Sequence, residues 1–438
     1  MFNENRIIDA LLDWNLWGHF KEDIKNREIT VKPSKNIISV IKGVRRSGKT
    51  MLTYLTAKNY PKEKTLFINF EDPRLQDIKS DDIIKIVEIY QKFLNKGLPD
   101  LLVLDEVQNI KGWEKVARLY TESKKINVLV TGSSSKLMSE EYSSILSGRH
   151  LDLELFPLSF REILNWNNID TSSILEIYKN KIEVTRTLDY YIKFGGFPRT
   201  VLEENETKKL NLLRQYFNDI IQRDVVIRYK IKNIEKLEAL AKIYLSNIST
   251  IQSFNKLRKI LNISLDTVER FTRYFEIARL FITLSKFSYS VKNQIISPRK
   301  VYCIDTGLYN ALGFKFSENI GRLMENLVYI ELLRQKSYFK PNMEIYYYKN
   351  NGYEIDFLVK QGPEIKELIQ VTYASGFDEI APREYESLIK ASELFKGAKL
   401  TVITWDYEDE RTLEWWGRKA KIDFVPLWKW LLKTIIIE

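Results

Sequence analysis

Short apolar runs that end at or beside a glycine or a carboxylate mark the first third of the chain. ISVIKG (38–43), TLFINF (65–70), LLVLD (101–105) and NVLVTGS (127–133) are rich in Val, Ile, Leu and Phe. Runs of this length, unbroken by polar alternation, predict buried strands. LDLEL (151–155) adds an alternating strand. Between the first two runs, Leu52 and Leu55 share one face of a short helix. From 171 to 235, leucine and isoleucine recur at helical spacing, interrupted by YYIKFGGFPRTVL (190–202). Then KLEALAKIYLSNIST, SFNKLRKILN and SLDTVERFTRYFEIARLFITL predict three helices, with Ser264 and Asp266 as caps for the third. FITLSKFSYS and PRKVYCIDTG predict two strands about a polar turn. Three helices and a hairpin make a winged helix. After 320 the pattern gives a helix, a strand pair and a further strand.

Length and composition narrow the class. The chain has 438 residues, enough for two or three domains, and is 44% hydrophobic and 29% charged, which fits a globular protein. No apolar run approaches the roughly 20 residues that span a bilayer, and acids interrupt the first apolar stretch, unlike a signal peptide. One cysteine excludes an intrachain disulfide framework and fits a reducing, cytoplasmic setting. The net charge of +10 is localised: residues 225–340 hold 20 Lys and Arg against 9 Asp and Glu, a surplus of +11. A polyanion such as DNA is the expected partner of that segment, with a solvated lysine-rich surface as the plainer reading.

The candidate chemistry begins at GVRRSGKT (43–50), placed between a strand and a helix. That context suits a phosphate-binding loop. Gly43 and Gly48 let backbone N–H groups wrap phosphates, with Val44, Arg45, Arg46 and Ser47 between them and Met51 following. Lys49 reaches the β- and γ-phosphates, and the Thr50 hydroxyl holds Mg²⁺ at the start of the helix. A nucleotide loop calls for a second strand that ends in acids. LLVLDE supplies Asp105 as the Mg²⁺ partner and Glu106 as the base that orients the attacking water. Thr131 or Ser133 is placed to sense the γ-phosphate. Arg149, after a glycine and before LDLEL, is a candidate arginine finger, in cis or across a subunit boundary.

GVRRSGKT, LLVLDEVQNI and VTGSSSKLMSEEYSSILSGRHLDLELFPLSFREIL together resemble the archaeal and bacterial AAA-type ATPases of the AAA-14 group, which end in a domain called DUF4143. The resemblance covers the first 170 residues. It implies ATP with Mg²⁺, a parallel-stranded P-loop domain and the SGR arginine as a finger. That family's loop often reads GPRRVGKT, so Val44 and Ser47 depart from it. GGFP (195–198) resembles a family signature at the junction of the two parts and implies a hinge or lid.

The expected fold is α/β: an ATP-binding domain with a P-loop parallel sheet (1–170), a helical connector (171–235), a winged helix (236–313) and a restriction-endonuclease-like α/β domain (314–438). In the winged helix, Lys256, Arg258, Lys259, Thr267, Arg270 and Arg273 are the candidate DNA contacts, with Lys286 and Lys292 in the wing. Winged helices also bind proteins, so a nucleotide-dependent switch is an alternative. In the last domain the order of elements resembles nucleases. Their site needs an acid on the hairpin and an acid-x-Lys pair on the next strand. Glu325, Glu354 and Asp356 are present, but Gln370-Val371-Thr372 stands where the pair belongs. Gln is a poor Mg²⁺ ligand and Thr supplies no ammonium, so an inactive nuclease-like domain is expected, with an ATP-dependent metal nuclease as the third reading. A finger acting in trans would also require a homo-oligomer.

Overall fold

The computed structural model describes residues 3–15, 24–95, 97–133, 146, 148–312, 319–350 and 352–433. They form two compact units that divide between Phe156 and Pro157, earlier in the chain than the boundary expected at 170.

The first unit runs α1 (Glu4–Asn15), β1 (Ile38–Gly43), α2 (Lys49–Ala57), β2 (Thr65–Asn69), α3 (Ser80–Phe93), β3 (Leu101–Asp105), α4 (Trp113–Arg118), β4 (Asn127–Ser133) and β5 (His150–Leu155). The strands make one sheet in the order β2-β3-β4-β1-β5, every pairing parallel. Its two faces divide the apolar residues by parity. Val40, Ile68, Leu104 and Val130 join the core that holds Ile7, Ile86 and Val116 of the helices on one side. Ile41, Phe67, Val103 and Leu129 pack with Leu52 and Tyr54 of α2 on the other. Burial on both faces is why these strands read as continuous runs. Because the strands are parallel, the ends of β1, β3 and β4 meet along one edge of the sheet, where the loops that follow them are gathered.

The second unit begins with helices: α5 (Phe160–Trp166), α6 (Ile174–Lys179), α7 (Lys181–Phe194), α8 (Pro198–Leu202) and α9 (Glu206–Asp219), which continues as a π-helical stretch over Ile220–Ile227. Next come α10 (Ile234–Ser246), β6 (Thr250–Gln252), α11 (Phe254–Leu261), α12 (Leu265–Ile277), β7 (Phe281–Leu284), α13 (Val291–Ile296) and β8 (Arg299–Cys303). The strands form an antiparallel sheet in the order β6-β8-β7. The three expected helices are present. Ser264 caps α12, its Oγ accepting from Thr267 N at 3.1 Å. The short β6, too brief to leave a pattern, completes the sheet.

α14 (Thr306–Leu312) and α15 (Ile320–Tyr338) lead into β9 (Met343–Asn350), β10 (Tyr353–Gln361), β11 (Glu364–Val371), α16 (Pro382–Leu394), β12 (Lys399–Thr404), β13 (Asp409–Trp415), β14 (Arg418–Pro426) and α17 (Leu427–Lys433). The six strands form a mixed sheet in the order β13-β14-β12-β11-β10-β9.

Two expectations need correction here. The β7–β8 connection is not a free wing. Phe287 N donates to Tyr347 O at 2.7 Å and Tyr347 N to Ser285 O at 3.1 Å, so 285–287 lie along β9. Phe287 packs among Tyr346, Tyr348 and Phe395, which draws Lys286 against that sheet. Nor is GGFP a hinge. Gly195 has φ of 73°, and a Cβ on it would lie 1.7 Å from Asp305 Oδ1; a Cβ on Gly196 would lie 2.3 Å from Leu158 O. These glycines are required by close packing. Gly196 N donates to buried Asp305 Oδ2 at 2.7 Å, and Leu158 N to Gly196 O at 2.7 Å, so the segment is a tightly packed knot.

Candidate active site

The loop after β1 takes its shape from two left-handed residues, Arg46 (φ 70°) and Gly48 (φ 95°). Gly43 is there for proximity: a Cβ would stand 2.3 Å from Leu155 O of the neighbouring strand. α2 starts at Lys49 directly after Gly48, so its first free N–H groups and the loop amides form one cradle for an anion. Lys49 Nζ donates to Val44 O at 3.3 Å and Gly43 O at 3.4 Å, and lies 3.7 Å from Glu106 Oε1. Ser47 Oγ is buried with no hydrogen-bond partner among the described residues, and a buried hydroxyl left so is costly. Met51 is exposed and Arg45 pairs with Glu71 at 3.4 Å.

The end of β3 completes the site. Thr50 Oγ1 donates to Asp105 Oδ2 at 3.0 Å, so a hydroxyl and a carboxylate, both hard oxygen donors, stand side by side. This donor set fits Mg²⁺. Thr131, on adjacent β4, donates its hydroxyl to Asp105 Oδ1 and accepts from Glu106 N at 3.0 Å. It therefore ties the Asp105 carboxylate to the backbone of Glu106. Burial, and then the charge of Glu106, push the Asp105 carboxyl up to about 7. A cation held beside it would reverse that direction. Glu106 has φ of 56°, a left-handed conformation that bulky residues rarely adopt and that recurs at functional sites. Gln108 Nε2 donates to Glu106 Oε2.

Of the two sensing candidates, Thr131 touches the acids, whereas Ser133 lies at the end of β4, in register with Gly43. Arg149 is not brought to the site. Its carbonyl accepts from Ile38 N at 3.0 Å, at the start of β1, and its guanidinium Nε lies 2.7 Å from Glu122 Oε1. The phosphate loop follows the far end of β1, about 20 Å along a six-residue strand. In this structure Arg149 therefore lies away from the phosphate loop of its own chain. One residue that the sequence did not single out belongs to the site: Arg27, buried, donates to Ser47 O at 3.0 Å.

Three family models match the chain: an AAA domain (AAA_14) over residues 35–164, a domain of unknown function (DUF8612) over 185–319, and another (DUF4143) over 320–428. The uncharacterized protein MJ1544 of Methanocaldococcus jannaschii is 36% identical over 99% of this chain and 96% of its own. The chain belongs to the AAA-type P-loop ATPase family that carries a C-terminal DUF4143 domain. An uncharacterized protein of Haemophilus influenzae is 28% identical over 75% of this chain and 81% of its own. Among solved structures, the Walker-type ATPase PABY2304 of Pyrococcus abyssi aligns with a TM-score of 0.41 at 13% identity, over 71% of this chain and 96% of that one. The Aeropyrum pernix Orc1 protein in complex with DNA aligns with a TM-score of 0.31 at 13% identity, over 70% and 91%. DUF4143 covers the six-stranded sheet and α15 of this ATPase family member, while DUF8612 covers the three-stranded one.

In the second unit the candidate DNA contacts divide. Lys256, Arg258 and Lys259 are exposed on α11. On α12, Thr267 spends its hydroxyl on the Ser264 cap at 2.8 Å and Arg270 pairs with Asp266 at 3.5 Å. Arg273 lines a cavity of about 610 Å³ together with Glu269 and Glu276. Lys292 is exposed on α13.

The acids of the nuclease-like domain do come together, around a residue the sequence did not single out. Lys300 Nζ of β8 lies 2.8 Å from Asp356 Oδ1, 2.9 Å from Glu354 Oε1 and 3.0 Å from Glu325 Oε1. Burial pulls its ammonium down, but the three acid charges outweigh that and hold it well above the ordinary lysine value. Tyr302 OH donates to Glu325 Oε1 at 2.7 Å. Burial and the Asp356 charge push Glu325 up to about 8. Gln370 accepts from Asp356 N at 2.7 Å and donates to Glu384 Oε2 at 2.6 Å. A glutamate there has no donor for Glu384 and adds another carboxylate to the group.

Proposed function

We propose that this chain binds ATP with Mg²⁺ and hydrolyses it. The observation that carries the reading is the Thr131 hydroxyl, which aligns Asp105 and Glu106 beside Thr50 and the cradle of the phosphate loop. Lys49 and the amides around Gly48 hold phosphate oxygens; Thr50 and Asp105 hold the cation; Glu106 accepts a proton from the attacking water. Arg149, held away from the loop of its own chain, is read as a finger for a neighbouring copy in a homo-oligomer.

The nucleotide cycle is coupled to DNA held by the basic face of α11. Lys256, Arg258 and Lys259 are exposed together, and such contacts release counterions, so binding weakens steeply with salt. Steady-state hydrolysis with and without duplex, branched and single-stranded DNA, at two salt concentrations, tests both parts. Stimulation lost at high salt and absent in Glu106→Gln supports the coupled ATPase. Hydrolysis indifferent to every DNA, with no salt-dependent binding, removes DNA from the reading.

A second reading, a switch that docks a protein, draws on α12. That helix carries Asp266, Glu269 and Glu276 against Arg270 and Arg273, a face poorly suited to phosphates. The metal-nuclease reading is disfavoured by Lys300, whose ammonium already stands among the three acids, and among the described residues no group of acids, His and Cys is arranged to hold a metal ion.

A further inference from the structure

The phosphate loop is tied by one side chain to the end of its own unit. Arg27 is buried, and its planar guanidinium donates from Nη1 to Ser47 O at 3.0 Å and from Nη2 to Phe156 O at 3.0 Å. Ser47 O belongs to the peptide that carries the Gly48 N–H. A peptide unit is flat and trans, so its carbonyl and its N–H point in opposite directions. Fixing Ser47 O on one side therefore fixes the direction of the Gly48 N–H on the other, the side available to phosphate oxygens.

The second contact extends the consequence. The two donors of a guanidinium sit in a rigid fork, so Ser47 O and Phe156 O cannot shift independently while both bonds hold. Phe156 is the last residue of the first unit. The chain then enters the second unit, where Arg334 Nη2 donates to Pro157 O at 3.1 Å and Leu158 N donates to Gly196 O at 2.7 Å. The residues after Phe156 are therefore gripped, and displacement of Phe156 acts on held backbone instead of dissipating in slack chain.

We infer that Arg27 is a positioning residue that orients the Gly48 amide for phosphate and transmits occupancy of the loop to the Phe156–Leu158 backbone. The inference rests on the ATP reading above. The test uses the full chain, wild type and Arg27→Lys, which keeps the charge but loses the fork. Nucleotide affinity is measured with a fluorescent ATP analogue in Mg²⁺, and amide exchange is followed at Phe156 and Leu158 with and without a non-hydrolysable ATP analogue. In wild type, nucleotide is expected to slow exchange at these amides by about tenfold. Arg27→Lys is expected to bind nucleotide within roughly tenfold of wild type, yet show no nucleotide-dependent change at Phe156 and Leu158.

A full nucleotide-dependent change in Arg27→Lys overturns the inference. So does a wild type that binds nucleotide without any change at these amides. If Arg27 were only a structural brace, the variant would exchange faster by the same factor with and without nucleotide, which also overturns it. Should Arg27→Lys fold poorly by circular dichroism, Arg27→Gln, whose shorter side chain carries a single donor nitrogen and cannot reach both carbonyls, serves as the second variant with the same expected loss. Failure of wild type to bind any nucleotide rejects the ATP reading itself.

Discussion

Lys300 Nζ and Asp356 Oδ1 lie 2.8 Å apart, inside the group of acids that gives the nuclease-like domain its resemblance to metal-dependent enzymes. The lysine comes from β8 of the three-stranded sheet and the aspartate from β10 of the six-stranded one. An ammonium thus stands where the resemblance leads one to look for a divalent cation, and the same contact pins two sheets together. Removing one partner of a buried ion group leaves uncompensated charge and typically costs about 3–5 kcal/mol. Lys300→Met is expected to destabilise the second unit by that order, measured by denaturant unfolding. Adding Glu325→Gln and Asp356→Asn to it is expected to restore part of the loss.

Thr131→Val removes the hydroxyl that joins Asp105 to Glu106 without changing side-chain shape. Nucleotide affinity is expected to change by less than about threefold, because the phosphate cradle is untouched. Turnover is expected to fall by about 10²-fold, the scale of a misplaced catalytic group. Binding and steady-state turnover measured together separate these effects, and an equal loss in both would contradict the assignment.

Arg149 stands at the start of β5, one strand length from the loop. Arg149→Ala is expected to lower ATP turnover by about 10³-fold or more, as fingers do. Lys49→Ala is expected to abolish nucleotide binding. Mixing the two inactive chains is expected to recover turnover, since one supplies an intact loop and the other an intact arginine. A mixture as inactive as its components would rule out transfer across subunits.

Asp305 provides a pH signature. Burial pushes its carboxyl up to about 7, against the Gly196 and Gly307 amides that pull it down. In the unfolded chain it titrates near the ordinary value of about 4. Between these values the native state holds a proton that the unfolded state has lost, so its contribution to stability falls as pH rises from about 4 to about 7 and is flat above. The unfolding temperature of the second unit is expected to carry this slope in wild type. Asp305→Asn, which cannot ionise, is expected to flatten it.

Legibility in the sequence followed the range of the interactions. The strands of the first unit were visible because both faces of a parallel sheet are apolar, and the phosphate loop because Gly48, Lys49 and Thr50 are neighbours in the chain. Arg27 and Lys300 were invisible. Each acts through partners far away in sequence, Phe156 for one and Glu325 and Asp356 for the other, and neither sits in a spacing that marks its role. GGFP misled for a physical reason: glycine marks either freedom or lack of room, and only the position of Asp305 distinguishes them. Thr267 and Arg270 matched the expected face of α12, but local capping and an ion pair had claimed them.

The run of 285–287 along β9 has a consequence for solubility. β9 is the last strand of its sheet, and an uncovered strand edge is a template for pairing between molecules. The bridge at Lys286 and Tyr347 and the bonds from Ser285 and Phe287 occupy that template. A chain with this connection shortened would therefore present a bare edge to its neighbours, and its first symptom would be self-association into aggregates rather than any change in what it binds.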